Sequence, residues 1–149
     1  MTIIAYKDGV LAADSLLVAG SLKVGTDRKL TKIEGYMLGG CGNSEDWEIF
    51  LEWFIKTLKN PLTPRPDKIH EQFEAICIKN KLILYYGPKL VPFKVKNKFH
   101  ALGDGMDLAY GAMAMGASAK QAVKVACKYN KNCSLPLQWM TEKEDHVVW

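Results

Sequence analysis

The chain has 149 residues, 48% of them apolar and 24% charged, with a formal charge of +4 and a pI near 8.8. That length predicts one domain, over residues 1–149, whose core buries about two thirds of the unfolded surface without disulfide or metal staples. No apolar run reaches the roughly 18 to 20 residues that cross a bilayer, and no basic-then-apolar leader precedes the first strand pattern, so a cytoplasmic protein with no membrane partner is expected.

In chain order, residues 2–6 and 10–15 are β-branched or apolar on either side of Lys7-Asp8-Gly9, and an Asp-Gly pair between two such runs predicts a hairpin. A second apolar stretch, Leu16 to Val24, is broken by Gly20 and leads to the polar turn Gly25-Thr26-Asp27-Arg28. Lys29 to Ile33 and Tyr36 to Cys41 then flank Glu34-Gly35 as another hairpin. After the glycine loop at 39–42, Asn43 or Ser44 can cap a helix with Glu45 and Asp46 in its first turn. Trp47, Phe50, Leu51, Phe54 and Leu58 share one face of it, and Pro61 closes it.

The three prolines between Asn60 and Pro66 mark a loop, and Asp67 to Phe73 is read as a shorter helix. Glu74 to Tyr86 holds two β-rich runs around Asn80-Lys81. In the basic stretch Lys89 to Lys98, lysines alternate with Val91, Phe93 and Val95, the pattern of a strand with one wet face and one buried face. A nucleic-acid partner is therefore not expected from the positive charge. Phe99 to Leu102 is a further strand, followed by a helix from Met106 to Met115 and a second capped by Ser118 with Gln121 in capping-box position. Ala119, Ala122, Val123 and Ala126 form the second helix's apolar stripe. Strand hairpins alternating with groups of helices favour antiparallel sheets layered with helices over a doubly wound parallel sheet.

Cys41, Cys77, Cys127 and Cys133 form no CxxC pair and read as small buried side chains. His70, His100 and His146 lack metal-site spacing, and there is no GxGxxG, Walker-type or GxSxG motif, so neither metal nor cofactor is expected. The sharpest chemical candidate is Thr2. If Met1 is removed, this residue carries both a nucleophilic hydroxyl and a free α-amine, and such an amine titrates at about 7.7 to 8.0, low enough to accept the hydroxyl proton near neutral pH. The plainer reading of Thr2 is a small residue behind a start codon.

Four blocks carry a resemblance: TIIAYKDGVLAADS at the start, DRKLTKI, GGCGNSEDWEIFLEWF, and HALGDGMDLAYGAMAMGASAKQAV. Together they are similar to the proteasome-type N-terminal nucleophile hydrolases, in particular the bacterial HslV peptidases and their small relatives. The resemblance implies an α+β fold, a four-layer αββα sandwich of two antiparallel sheets, and a threonine peptidase acting on protein or peptide substrates. It also implies stacked homo-oligomeric rings and an ATPase unfoldase as a partner.

Residue by residue, Thr2 matches the nucleophile, Asp14 the carboxylate behind it, Lys29 the lysine beside it, and Gly40 the oxyanion-hole residue whose backbone N–H meets the substrate carbonyl. A lysine cation there favours the developing alkoxide and keeps the α-amine neutral. Without that role, Asp14 and Lys29 read as a strand-end salt bridge. Two places depart from the family pattern. Asp104, in Gly103-Asp104-Gly105, stands where the family has a serine supporting the α-amine, and its charge makes that amine a poorer base. Asn130 stands where the family has an aspartate, with the following serine matched by Cys133 or Ser134. These departures keep open an alternative, a weak or inactive binding or scaffold protein with the same fold.

Overall fold

The structure, a computed structural model, describes residues 2–147, with side chains described through Glu144. Its elements in order are β1 (Ile3–Lys7), β2 (Val10–Ala13), β3 (Leu16–Ala19), β4 (Leu22–Thr26), β5 (Leu30–Ile33), β6 (Tyr36–Cys41), α1 (Ser44–Lys59), β7 (Glu74–Lys79), β8 (Leu82–Tyr86), β9 (Pro92–Lys94), β10 (Phe99–Gly103), α2 (Met106–Ala114), α3 (Ala119–Tyr129), β11 (Gln138–Met140) and β12 (Asp145–Val147). The expected antiparallel α+β character holds. One five-stranded sheet runs β10-β1-β2-β11-β12, the other β5-β6-β7-β8-β9, and β3 and β4 pair as a separate hairpin.

Local chemistry accounts for the hairpins. Asp8 and Gly9 have φ of 50° and 82°, and Glu34 and Gly35 have φ of 50° and 81°. Two successive positive values are what a two-residue type I′ turn requires, and that turn's twist matches the strands it joins. Both helix caps form as expected. Asn43 Oδ1 accepts the Glu45 N–H at 2.7 Å, and Ser118 exchanges hydrogen bonds with Gln121 in a capping box.

Three apolar clusters hold the layers together. Ile4, Tyr6, Leu11 and Ala13 of the first sheet meet Leu30, Met37, Ile76 and Ile78 of the second. The far face of the first sheet, with Ile3, Ala5, Ala12 and Ala101, packs on Ala109 and Met113 of α2 and Ala119, Ala122, Val123 and Ala126 of α3. Alanines facing one another let these helices approach the sheet closely. The far face of the second sheet, with Leu38, Ala75 and Cys77, receives Phe50, Trp53 and Phe54 of α1. No helix among the described residues is long and apolar enough to cross a membrane.

Several expectations are corrected. Residues 67–73 form no helix. The Asp46 carboxylate takes both the His70 backbone N–H, at 3.1 Å, and the His70 ring, at 2.8 Å, so this segment is tied across to α1 in place of its own helical ladder. Val91 and Phe93 are 55% and 65% exposed, and only Val95 packs on the core. The reason is position: β9 is three residues long and lies at the outer edge of its sheet. Leu58 is exposed and Trp53 buried, which turns α1's apolar face from the expected one. The helix expected to end at Met115 ends at Ala114. Strands β11 and β12 had no counterpart in the expected elements, yet β11 pairs with β2 inside the first sheet.

Candidate active site

Strand β1 begins at Ile3, so Thr2 sits at the mouth of the seam between the two sheets. Its residue is 4% exposed, beside Asp14 at 0% and Lys29 at 8%. The Lys29 ammonium donates to Thr2 Oγ1 at 2.8 Å and to Asp14 Oδ1 at 2.9 Å. The three expected residues therefore form one hydrogen-bonded chain, hydroxyl to ammonium to carboxylate.

Asp14 is the hub of this arrangement. Its Oδ1 also accepts the Ile3 N–H at 3.1 Å, and its Oδ2 accepts the N–H groups of Leu16 at 3.3 Å and Ser134 at 3.1 Å. This buried carboxylate thus has a cation and three backbone N–H groups as hydrogen-bond partners. Of Cys133 and Ser134, it is the Ser134 backbone that reaches the site.

Gln138 was not anticipated. Its Oε1 accepts the Lys29 N–H at 2.9 Å, and its Nε2 donates to Asp14 O at 3.2 Å, Ser15 Oγ at 2.9 Å and Asp27 O at 2.6 Å. One fully buried carboxamide thus fixes the backbones that carry both Asp14 and Lys29. The sequence holds a signal for it: Leu137-Gln138-Trp139-Met140 continues an apolar stretch into the C-terminal segment.

Gly40 lies on β6 beside the site, and its N–H is directed at Lys29 O, 3.4 Å away. Its missing side chain serves another neighbour, because a Cβ there would lie 2.2 Å from the Trp47 ring. Two residues on, Gly42 lines both of the cavities that Thr2 also lines.

Asp104 lines the cavity that contains Thr2, but its side chain is exposed and accepts from Asn132 Nδ2 at 2.7 Å. No hydrogen bond joins it to Thr2 among the described residues. Asn130, which caps α3, donates to Asp104 O at 3.1 Å and accepts the Asn132 N–H at 2.8 Å. Asn130 and Asn132 thus hold the 103–105 turn from outside. Removal of Met1 concerns a residue outside the described ones.

Two cavities open beside Thr2. One, about 440 Å³, has Leu17, Arg28, Lys29, Gly42 and Trp47 in its wall; the other, about 650 Å³, has Val18, Glu71, Glu74, Tyr85 and Asp104. Cys41 borders both, but burial, reinforced by the Glu74 carboxylate, pushes its thiol well above the usual range. It therefore does not compete with Thr2 as a nucleophile.

Comparison with solved structures places this geometry on a known scaffold. Eukaryotic HslV from Trypanosoma brucei superposes with a TM-score of 0.72 at 14% identity, covering 93% of this chain and 97% of that one. The chain has the HslV-type fold. Anbu from Hyphomicrobium sp. strain MC1, in a Gly-1 mutant form, matches with a TM-score of 0.72 at 13% identity, over 95% of this chain and 82% of that one. BPH from Thiobacillus denitrificans matches with a TM-score of 0.69 at 19% identity over 93% of this chain and 95% of that one, and has also been solved in complex with epoxomicin. At these identities the likeness to HslV, Anbu and BPH is one of fold. No protein-family profile matches the sequence, and no curated protein matches it.

Proposed function

We propose that this chain is an HslV-type threonine peptidase in which Thr2, exposed as the N-terminal residue by loss of Met1, is the nucleophile. The observation that carries this reading is the Lys29 ammonium, hydrogen-bonded at once to the Thr2 hydroxyl and to buried Asp14. Thr2 Oγ1 attacks the peptide carbonyl carbon and its proton passes to the Thr2 α-amine. The tetrahedral intermediate collapses to a Thr2 ester, and the departing amine takes the proton from the α-ammonium. Water, deprotonated by the same amine, then attacks the ester, releasing the carboxylic acid and restoring the hydroxyl. Lys29 stabilises the developing negative charge on Oγ1, and Asp14 holds the ammonium in place. Gly40, at the end of β6, and Gly42 after it both line the cavity beside Thr2, and their backbone N–H groups are the donors for the oxyanion site.

Residues 1–149 act as a single domain, its three clusters stacking as a four-layer αββα sandwich. The chain assembles into rings that enclose Thr2, in the cytoplasm, and receives unfolded chains from an ATPase. A second reading, a scaffold without turnover, is favoured by one feature: Asp104 accepts from Asn132, with no hydrogen bond to Thr2 among the described residues.

Mass spectrometry of the purified protein with and without a peptide epoxyketone separates the two. Loss of Met1 together with a single adduct absent from Thr2→Ala supports the peptidase. Retained Met1, or a processed protein that forms no adduct, removes it and leaves the scaffold.

A further inference from the structure

Thr2 is held from two sides. On one, the Ile3 N–H that follows it is taken by Asp14. On the other, its carbonyl is enclosed by the turn from Gly103 to Gly105. Gly103 pairs with Ile3 across β10 and β1, and it has a φ of 98°, with so little space that a Cβ would stand 2.1 Å from Thr2 O. The Gly105 N–H points at the same oxygen from 3.5 Å. Any displacement of Gly103 is therefore passed to Thr2, and through it to the 2.8 Å contact with Lys29.

What fixes Gly103 comes from the opposite sheet. Glu74 opens β7, and its Oε2 accepts the Gly103 N–H at 3.2 Å. Its Oε1 accepts the Tyr85 hydroxyl at 3.0 Å, and the Tyr85 ring is braced edge-on against His100, 5.8 Å between centroids. Both carboxylate oxygens are thus committed, one to the neighbouring strand and one to the turn. We propose that Glu74 is a positioning residue for Thr2, a tie between the two sheets that sets the turn on which the nucleophile rests. Burial, with the Glu74 charge beside it, pushes the Tyr85 hydroxyl up to about 12, so this donor persists through neutral pH.

The inference rests on the peptidase reading of Thr2, and labelling by a peptide epoxyketone tests the two separately. Maximal labelling rate, half-saturating concentration and melting temperature are measured for the wild type, Glu74→Ala and Glu74→Gln. Glu74→Ala is expected to lower the maximal rate about tenfold or more, with half-saturation unchanged, because small misplacements of a nucleophile act on the chemical step. Glu74→Gln restores the wild-type rate: its carboxamide oxygen can accept from Gly103 while its NH₂ donates to Tyr85. A wild type that is never labelled overturns the peptidase reading. A labelled wild type overturns the Glu74 role alone if Glu74→Ala matches it, or if Glu74→Gln, which keeps both bonds and the fold, is slowed tenfold.

Discussion

The ammonium of Lys29 donates to the hydroxyl of Thr2 at 2.8 Å across a sequence separation of 27 residues. That separation spans the first hairpin and the β3–β4 hairpin, so the contact exists only because β1 and the start of β5 belong to different sheets that pack face to face. Replacing Lys29 by methionine keeps the stem and removes the charge. Epoxyketone labelling of Thr2 should fall by about 10²- to 10⁴-fold. Urea denaturation should show about 3 to 5 kcal/mol of lost stability, because Asp14 stays buried without its cation. Labelling at the wild-type rate would show that the cation has no part in the chemistry.

Gln138 should be as sensitive as any residue of the core. Its replacement by leucine leaves the Lys29 N–H and the Asp14 and Asp27 carbonyls without their partner, and each buried polar group so orphaned costs about 1 to 3 kcal/mol. The urea midpoint should drop with an unchanged slope. A midpoint within error of wild type would mean that water replaces the carboxamide.

Gly40→Ala places a methyl group 2.2 Å from the Trp47 ring. Overpacking of this kind costs about 1 to 3 kcal/mol, and Trp47, stacked on Phe50 at 5.7 Å, is displaced with it. The loss should be smaller when Gly40→Ala is made in a Trp47→Ala background. A double-mutant cycle gives the coupling directly, and additive effects would refute the clash.

His100 provides the pH dependence. Burial holds its pKa below the ordinary 6.5, and its Nδ1 is paired with the Tyr110 hydroxyl. As pH falls below 6.5 the unfolded chain takes up a proton at this position before the folded one does. The stability that the neutral ring contributes is complete above 6.5 and is lost as pH descends to the folded value. Urea midpoints between pH 8 and pH 5 should decline more steeply for the wild type than for His100→Gln. Equal slopes would place the titrating group elsewhere.

Features governed by neighbours in sequence are legible in the amino-acid order alone. The Asp8-Gly9 and Glu34-Gly35 turns depend on two adjacent φ values, and the Ser118 and Asn43 caps on residues two or three positions away. The alanine stripe of α3 follows from helical periodicity alone. Thr2, Asp14, Lys29 and Gly40 are candidates through the order of motifs and not through any local rule, and the structure joins Thr2, Lys29 and Asp14 by hydrogen bonds.

Tertiary structure decided what depends on partners far along the chain. Whether Asp104 faces Thr2 or solvent is settled by Asn132, 28 residues later, and whether residues 67–73 coil into a helix by Asp46, 24 residues before His70. Gln138 gained its place because β11 returns to pair with β2. Local backbone preference amounts to a few tenths of a kcal/mol per residue. A buried hydrogen bond or packed ring outweighs it, which is why periodicity specified the long helices and the hairpins while contacts distant in sequence decided residues 67–73, β11 and the surroundings of Thr2.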